Sequence, residues 1–112
     1  HMQYAKPAMR LHFIFALLHV AIAACSQQSA DEASTCIATL QFTGEQWLAN
    51  SVPTSFVRAT IDSADKALEK NKDPRAPEAR ETAQQMREAV GKNDRIAVAN
   101  LVKRFAAMPR TP

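Results

Sequence analysis

Histidine is confined to the first 19 of 112 residues, as His1, His12 and His19, and glycine occurs only twice, at Gly44 and Gly91. The single tyrosine, Tyr4, lies in the same opening stretch. Everything beyond it therefore lacks the commonest general base and the commonest ligand of divalent metals. Ser-His-Asp and Cys-His arrangements cannot be assembled there, and Cys36 by itself falls short of the ligand set a zinc site needs. So little glycine leaves no phosphate-cradling loop, and two cysteines exclude a multi-disulfide scaffold. An excess of one charge is missing as well. Lys6 and Arg10 account for two of the 14 basic residues, so residues 25–112 carry 12 against 11 acidic ones, a net charge of +1. That balance excludes a polyanion-binding domain, and a mass of 12.3 kDa excludes a large multidomain enzyme.

What is present begins with a leader. His1 and Met2 read as a cloning remnant. From Arg10 the chain runs R-L-H-F-I-F-A-L-L-H-V-A-I-A-A-C, a positive start followed by an apolar run from Leu11 to Ala24. At about 1.5 Å per residue this run reaches roughly 21 Å as a helix, short of a ~30 Å hydrocarbon core, so a permanent span is not expected. A charged start, a short apolar stretch and small residues at its end form the pattern of a secretory signal peptide, for which Met9 offers a compact alternative start.

The residues Ile22-Ala23-Ala24-Cys25 resemble the lipobox of bacterial lipoproteins. The resemblance covers the first 25 residues. It implies that Cys25 becomes the new N-terminus and carries covalent lipid, a diacylglyceryl group on sulfur with a further acyl chain (typically palmitate) on nitrogen. Ser26, where Asp would favour inner-membrane retention in that family, implies the periplasmic face of the outer membrane. At ~0.8 kcal/mol per buried methylene, two or three chains on one residue would hold so small a protein on a bilayer. Two other readings of these residues stay open. Ala21-Ile22-Ala23 fits ordinary signal peptidase, which would leave a soluble periplasmic chain whose Cys25 is free to pair with Cys36. A run as short as Leu11 to Ala24 also fits a buried helix of a cytosolic protein.

The domain plan that follows is 1–24 remnant and signal peptide, 25–35 lipidated cysteine and flexible tether, and 36–112 helical domain. Ser26 to Thr35 holds no large apolar residue, no Gly and no Pro, and reads as a solvated tether with a stretched reach of about 33–36 Å. Cys36 to Asn50 is ambiguous. Cys36, Leu40, Trp47 and Leu48 fit a helix, while alternation through Phe42 fits a strand. Helix is favoured because no partner strand exists. Gly44 and the capping-box pattern Thr43-Gly44-Glu45-Gln46 predict a break and restart at Thr43.

Three further helices are clearer. One opens at Pro53-Thr54 with Phe56, Val57, Ile61, Ala64 and Leu68 on one stripe. A second starts at Pro77 with Ala79, Ala83, Met86 and Val90, and is capped by Gly91. The last is capped by Asn93 and carries Ala97, Val98, Leu101, Val102, Phe105 and Met108. The fold class expected is all-α, a small bundle of three or four helices after the leader and tether.

Candidate functional residues are few. Asp62, Asp65 and Glu69 share a helix face, but Lys66 and Lys70 interleave with them, and an Asp62/Lys66 pair makes this a solvated charged face rather than an acid/base site. Glu88 and Lys92 read the same way, and Lys103 and Arg104 complement a helix C-terminus. Arg75, Arg80 and Arg87 alternate with Glu78, Glu81 and Glu88 and form no basic stripe. Trp47, the one tryptophan, fits either the core or a binding face. The residues offered for partner binding are Trp47, Glu45 and Asp62. The chain is expected not to be an enzyme, and to use no metal, nucleic acid, small-molecule substrate or cofactor beyond the lipid on Cys25. It is expected to bind a periplasmic protein, as an immunity or inhibitor protein against a toxin or hydrolase. The alternative is a self-associating structural or accessory envelope lipoprotein, for example a secretion-machine subunit.

Overall fold

The structure is a computed structural model and describes residues 28–110. The leader, Cys25 and the competing cleavage sites lie outside the described residues. Four helices follow one another, with no strand among the described residues: α1 over 28–48, α2 Thr54–Glu69, α3 Ala76–Gly91 and α4 Arg95–Ala107. This is the small all-α bundle that the apolar spacing predicts.

The ambiguous segment is helical. Ala33, Ile37, Leu40, Gly44 and Trp47 are buried at alternating steps of four and three, the stripe of a helix lodged against neighbours, while Ala38 and Phe42 face outward. Gly44 does not break α1. A Cβ at this position would lie 2.6 Å from Val102 Cγ2 and 3.0 Å from Met86 Sδ, so the glycine lets α1 approach α3 and α4 closely. Thr43 accordingly opens no capping box. Its hydroxyl donates to the Thr39 carbonyl one turn back at 2.7 Å, inside a continuous helix.

The helix also begins earlier than the domain plan has it. Residues 28–35, assigned above to the tether, are the first turns of α1, and Ala33 is fully buried. A lack of large apolar side chains is no sign of a loop here, because a buried alanine fills the space available. Asp31 and Glu32 complement the positive end of the helix dipole.

Val57, Ile61, Ala64 and Leu68 form the buried face of α2, with Phe56, expected on that stripe, left outside. In α3 the buried face is mostly small, with Ala76, Ala79, Ala83 and Ala89 beside Thr82, Met86 and Val90, and small faces let helices approach closely. Val98, Leu101 and Phe105 of α4, followed by Met108, complete the core.

Two helices close with the same turn. At the end of α1, Asn50 N–H donates to Trp47 O at 3.0 Å and Ser51 N–H to Gln46 O at 2.8 Å, with Asn50 at φ 60°. At the end of α3, Asn93 N–H donates to Val90 O at 3.0 Å and Asp94 N–H to Ala89 O at 2.9 Å, with Asn93 at φ 53°. These are Schellman closures with asparagine in the left-handed position. Gly91, expected to cap α3, is instead its last helical residue, and a Cβ there would stand 2.9 Å from the Arg58 guanidinium. Asn93, expected to open α4, closes α3. Asp94 takes the N-cap, its carboxylate accepting from Ala97 N–H at 3.0 Å.

Short turns make successive helices antiparallel. Arg80 and Arg87 of α3 reach Asp65 and Asp62 of α2 at 2.9 and 3.0 Å. The pairing of Asp62 with Lys66 expected within α2 gives way to this cross-helix contact, in which Arg87 engages both carboxylate oxygens. The Glu88–Lys92 pair forms as expected, at 2.8 Å. The bundle has two poles. One gathers the start of α1, the 70–75 connection and Pro109. The other gathers the 49–53 and 92–94 turns with the first turns of α2 and α4.

Candidate functional site

At the first pole a buried ion pair ties the ends of the helices together. The connection is built from successive side-chain turns: Asn71 Oδ1 accepts from Asp73 N–H, and Asp73 Oδ1 from Arg75 N–H, both at 2.8 Å. This folds Arg75 inward, where it is 7% exposed beside Asp73 at 6%. The guanidinium uses all of its N–H groups. Nε and Nη2 donate to Asp73 Oδ1 and Oδ2 at 2.8 and 3.0 Å, Nη1 to Ser34 Oγ and Pro109 O at 2.9 and 2.7 Å, and Nη2 also to Ala30 O at 3.0 Å. Asn71 Nδ2 adds a bond to Ser29 O at 2.8 Å. Hydrogen bonding from Arg75 holds the Asp73 carboxyl below its ordinary value, against the opposing effect of burial. With every polar atom engaged, this cluster is a structural clamp. Nothing is left to bind a ligand.

The opposite pole is different. Trp47 is 5% exposed, and its indole N–H donates to Thr54 Oγ1 at 3.1 Å, so the ring is a fixed platform. The Arg95 guanidinium lies over that ring, 5.5 Å from its centroid. Arg95 Nη1 donates to Asn50 Oδ1 at 3.3 Å and Nη2 to the Leu48 carbonyl, where a cation complements the negative end of α1. Both acceptors are neutral. Arg95 takes part in no ion pair among the described residues. Arg95 also lines an open cleft of about 380 Å³, walled by Trp47, the 50–54 turn and Asn93. Two of the large apolar side chains left exposed, Phe56 at 50% and Ile96 at 78%, occupy first turns at this same pole. An aromatic platform, a cation without a carboxylate and nearby apolar side chains suit an acidic group presented by another protein.

A second open cleft, about 400 Å³, runs between α3 and α4 beside Glu88, Lys92 and Arg104. Its charged groups are already engaged, Lys92 with Glu88 and Arg104 with Gln85 at 2.8 Å.

The three residues offered for partner binding are not brought together. Trp47 lines the far-pole cleft from a core position. Glu45 is exposed on α1, and Asp62 is half a bundle away on α2 and paired with Arg87. Cys25 lies outside the described residues. Cys36 is half-buried and joined to no other cysteine among the described residues; burial first, then Glu32, pushes its pKa up, which disfavours the nucleophilic thiolate. Sequence reasoning missed Arg95 and Arg75. The first follows the helix-capping pair Asn93-Asp94 directly, a signal for a residue projecting at a helix start. The second carries no signal that separates it from Arg80 and Arg87.

Comparison of the chain with protein-family models, with curated proteins and with solved structures finds no match.

Proposed function

We propose that the protein is a non-enzymatic lipoprotein, anchored through Cys25 to the periplasmic face of the outer membrane, whose helical bundle binds another protein. The role it suits best is that of an inhibitor or immunity protein against a toxin or hydrolase acting in the periplasm. The anchor rests on Ile22-Ala23-Ala24-Cys25 and Ser26, and the non-enzymatic character on the missing histidines. The observation that carries the binding role is the far pole, where the Trp47–Arg95 cleft, Phe56 and Ile96 stand together. Burying an arginine and an aromatic at the centre of an interface is a common source of affinity. An acidic side chain of the partner would enter the cleft and pair with Arg95.

The test has two parts. Intact mass spectrometry of protein recovered from native membranes is expected to show Cys25 acylated and the leader removed, with Cys25→Ala showing neither. Capture from envelope extract is expected to retain one protein in stoichiometric amount, and Arg95→Glu is expected to release it by opposing like charges. Inhibition of that protein's activity by the bundle would complete the case. Absence of any partner, together with concentration-dependent self-association in light scattering, would replace this reading with that of a self-assembling envelope lipoprotein.

A further inference from the structure

The pole clamped by Arg75 has a place in the anchored protein. We infer that this pole rests directly on the lipid headgroups, so that the bundle stands upright without a slack tether and holds the Trp47–Arg95 cleft at a fixed height above the membrane. The inference rests on the reading of Cys25 as the lipid-bearing residue.

Consecutive Cα atoms are about 3.8 Å apart, so residue 28 lies within about 11 Å of Cys25 whatever path the intervening chain takes. Residue 28 already belongs to α1. The turns that follow are bound to the body of the bundle: Ser29 O accepts from Asn71 at 2.8 Å, Ala30 O from Arg75 at 3.0 Å and Ser34 Oγ from Arg75 at 2.9 Å. Ala33 is buried between these contacts. α1 therefore cannot swing away from its neighbours, and the linker is too short to lift the domain. From that pole α1 runs about 30 Å, at roughly 1.5 Å per residue, to the Trp47 end.

The surface chemistry of the two poles agrees with this orientation. Around the clamp the exposed side chains are of both signs, among them Asp31, Glu32, Lys70, Lys72 and Arg110. None of the large apolar side chains exposed among the described residues lies there; Phe56 and Ile96 are at the opposite pole and Phe42 is in the half of α1 nearer Trp47. A mixed, polar end sits on headgroups without inserting, and it needs no anionic lipid to do so.

The single tryptophan makes the orientation measurable. In the acylated full chain, reconstituted in vesicles of phosphatidylethanolamine and phosphatidylglycerol carrying headgroup nitroxides, Trp47 emission is expected to be nearly unquenched. A variant with Trp47→Phe and Lys72→Trp is expected to be quenched severalfold more strongly. A long Gly-Ser insert between residues 27 and 28 is expected to erase the difference. Equal quenching at the two positions, with the acyl chains verified by mass, overturns the seated orientation and leaves the anchor standing. A sample without acyl chains overturns both.

Discussion

Arg75 shows how much of this fold depends on one side chain. It joins α1, the 70–75 connection and Pro109, and its Nε and Nη2 groups satisfy the buried Asp73 carboxylate. Arg75→Met would leave Asp73 as an uncompensated charge at 6% exposure, and the expected loss of stability in denaturant unfolding is about 3–5 kcal/mol. Arg75→Lys recovers only part of it, since an ammonium cannot reproduce the planar fork. The same pair sets an acid limit. The folded-state pKa of Asp73 is depressed, so its contribution is complete above the ordinary value of 3.8 and fades as pH falls through the lower folded value. The stability gap between the wild type and Asp73→Asn is therefore expected to be constant near neutrality and to close below about pH 3.8 in pH-dependent unfolding. None of this is legible in the sequence, where nothing separates Arg75 from Arg80 and Arg87. Its burial comes from the turns at Asn71 and Asp73, which point it inward.

At the scale of the element, α1 is the instructive case. Its apolar stripe passes through Gly44, and because glycine carries no hydrophobic weight, the periodicity in the sequence breaks where α1 packs closely on Val102 and Met86. Gly44→Ala sharpens the point. Helix propensity alone favours alanine by about 1 kcal/mol, yet the new methyl would meet the stiff, β-branched Val102 at 2.6 Å. The contact wins, and thermal or chemical unfolding is expected to show a net loss of about 1–2 kcal/mol. The other three helices were readable from residues 54–108 because Val57, Ile61 and Leu68, Ala79, Ala83 and Met86, and Val98, Leu101 and Phe105 keep an unbroken helical step. Turn chemistry was only half readable. Asn93 marked the connection between α3 and α4, but which helix it serves depends on its left-handed backbone, which closes α3 and leaves Asp94 to open α4.

For the whole molecule, the decisive difference from the sequence reading is the status of residues 28–35. As a tether they would be dispensable to folding. As the first turns of α1 they supply Ala33 to the core and two acceptors to Arg75. Deleting residues 26–35 is expected to lower Tm by about 10 °C or more in a thermal scan, because ~1 kcal/mol corresponds to about 4–8 °C in a domain of this size. The pole that holds the cleft was legible only through Trp47. Arg95 becomes visible as a neighbour of that side chain once α4 is folded back along α1.

Ser34, near the start of the described chain, and Pro109, near its end, both grip the same guanidinium. A polypeptide stitched at one spot in this way is close to a ring in its connectivity. Bridging residues 28 and 110 and opening the backbone within 50–52 would preserve every described helix while moving the free ends to the other side of the bundle. A bundle built on this plan keeps one whole end clear of its first and last described residues, and that unobstructed end is the one that holds the cleft.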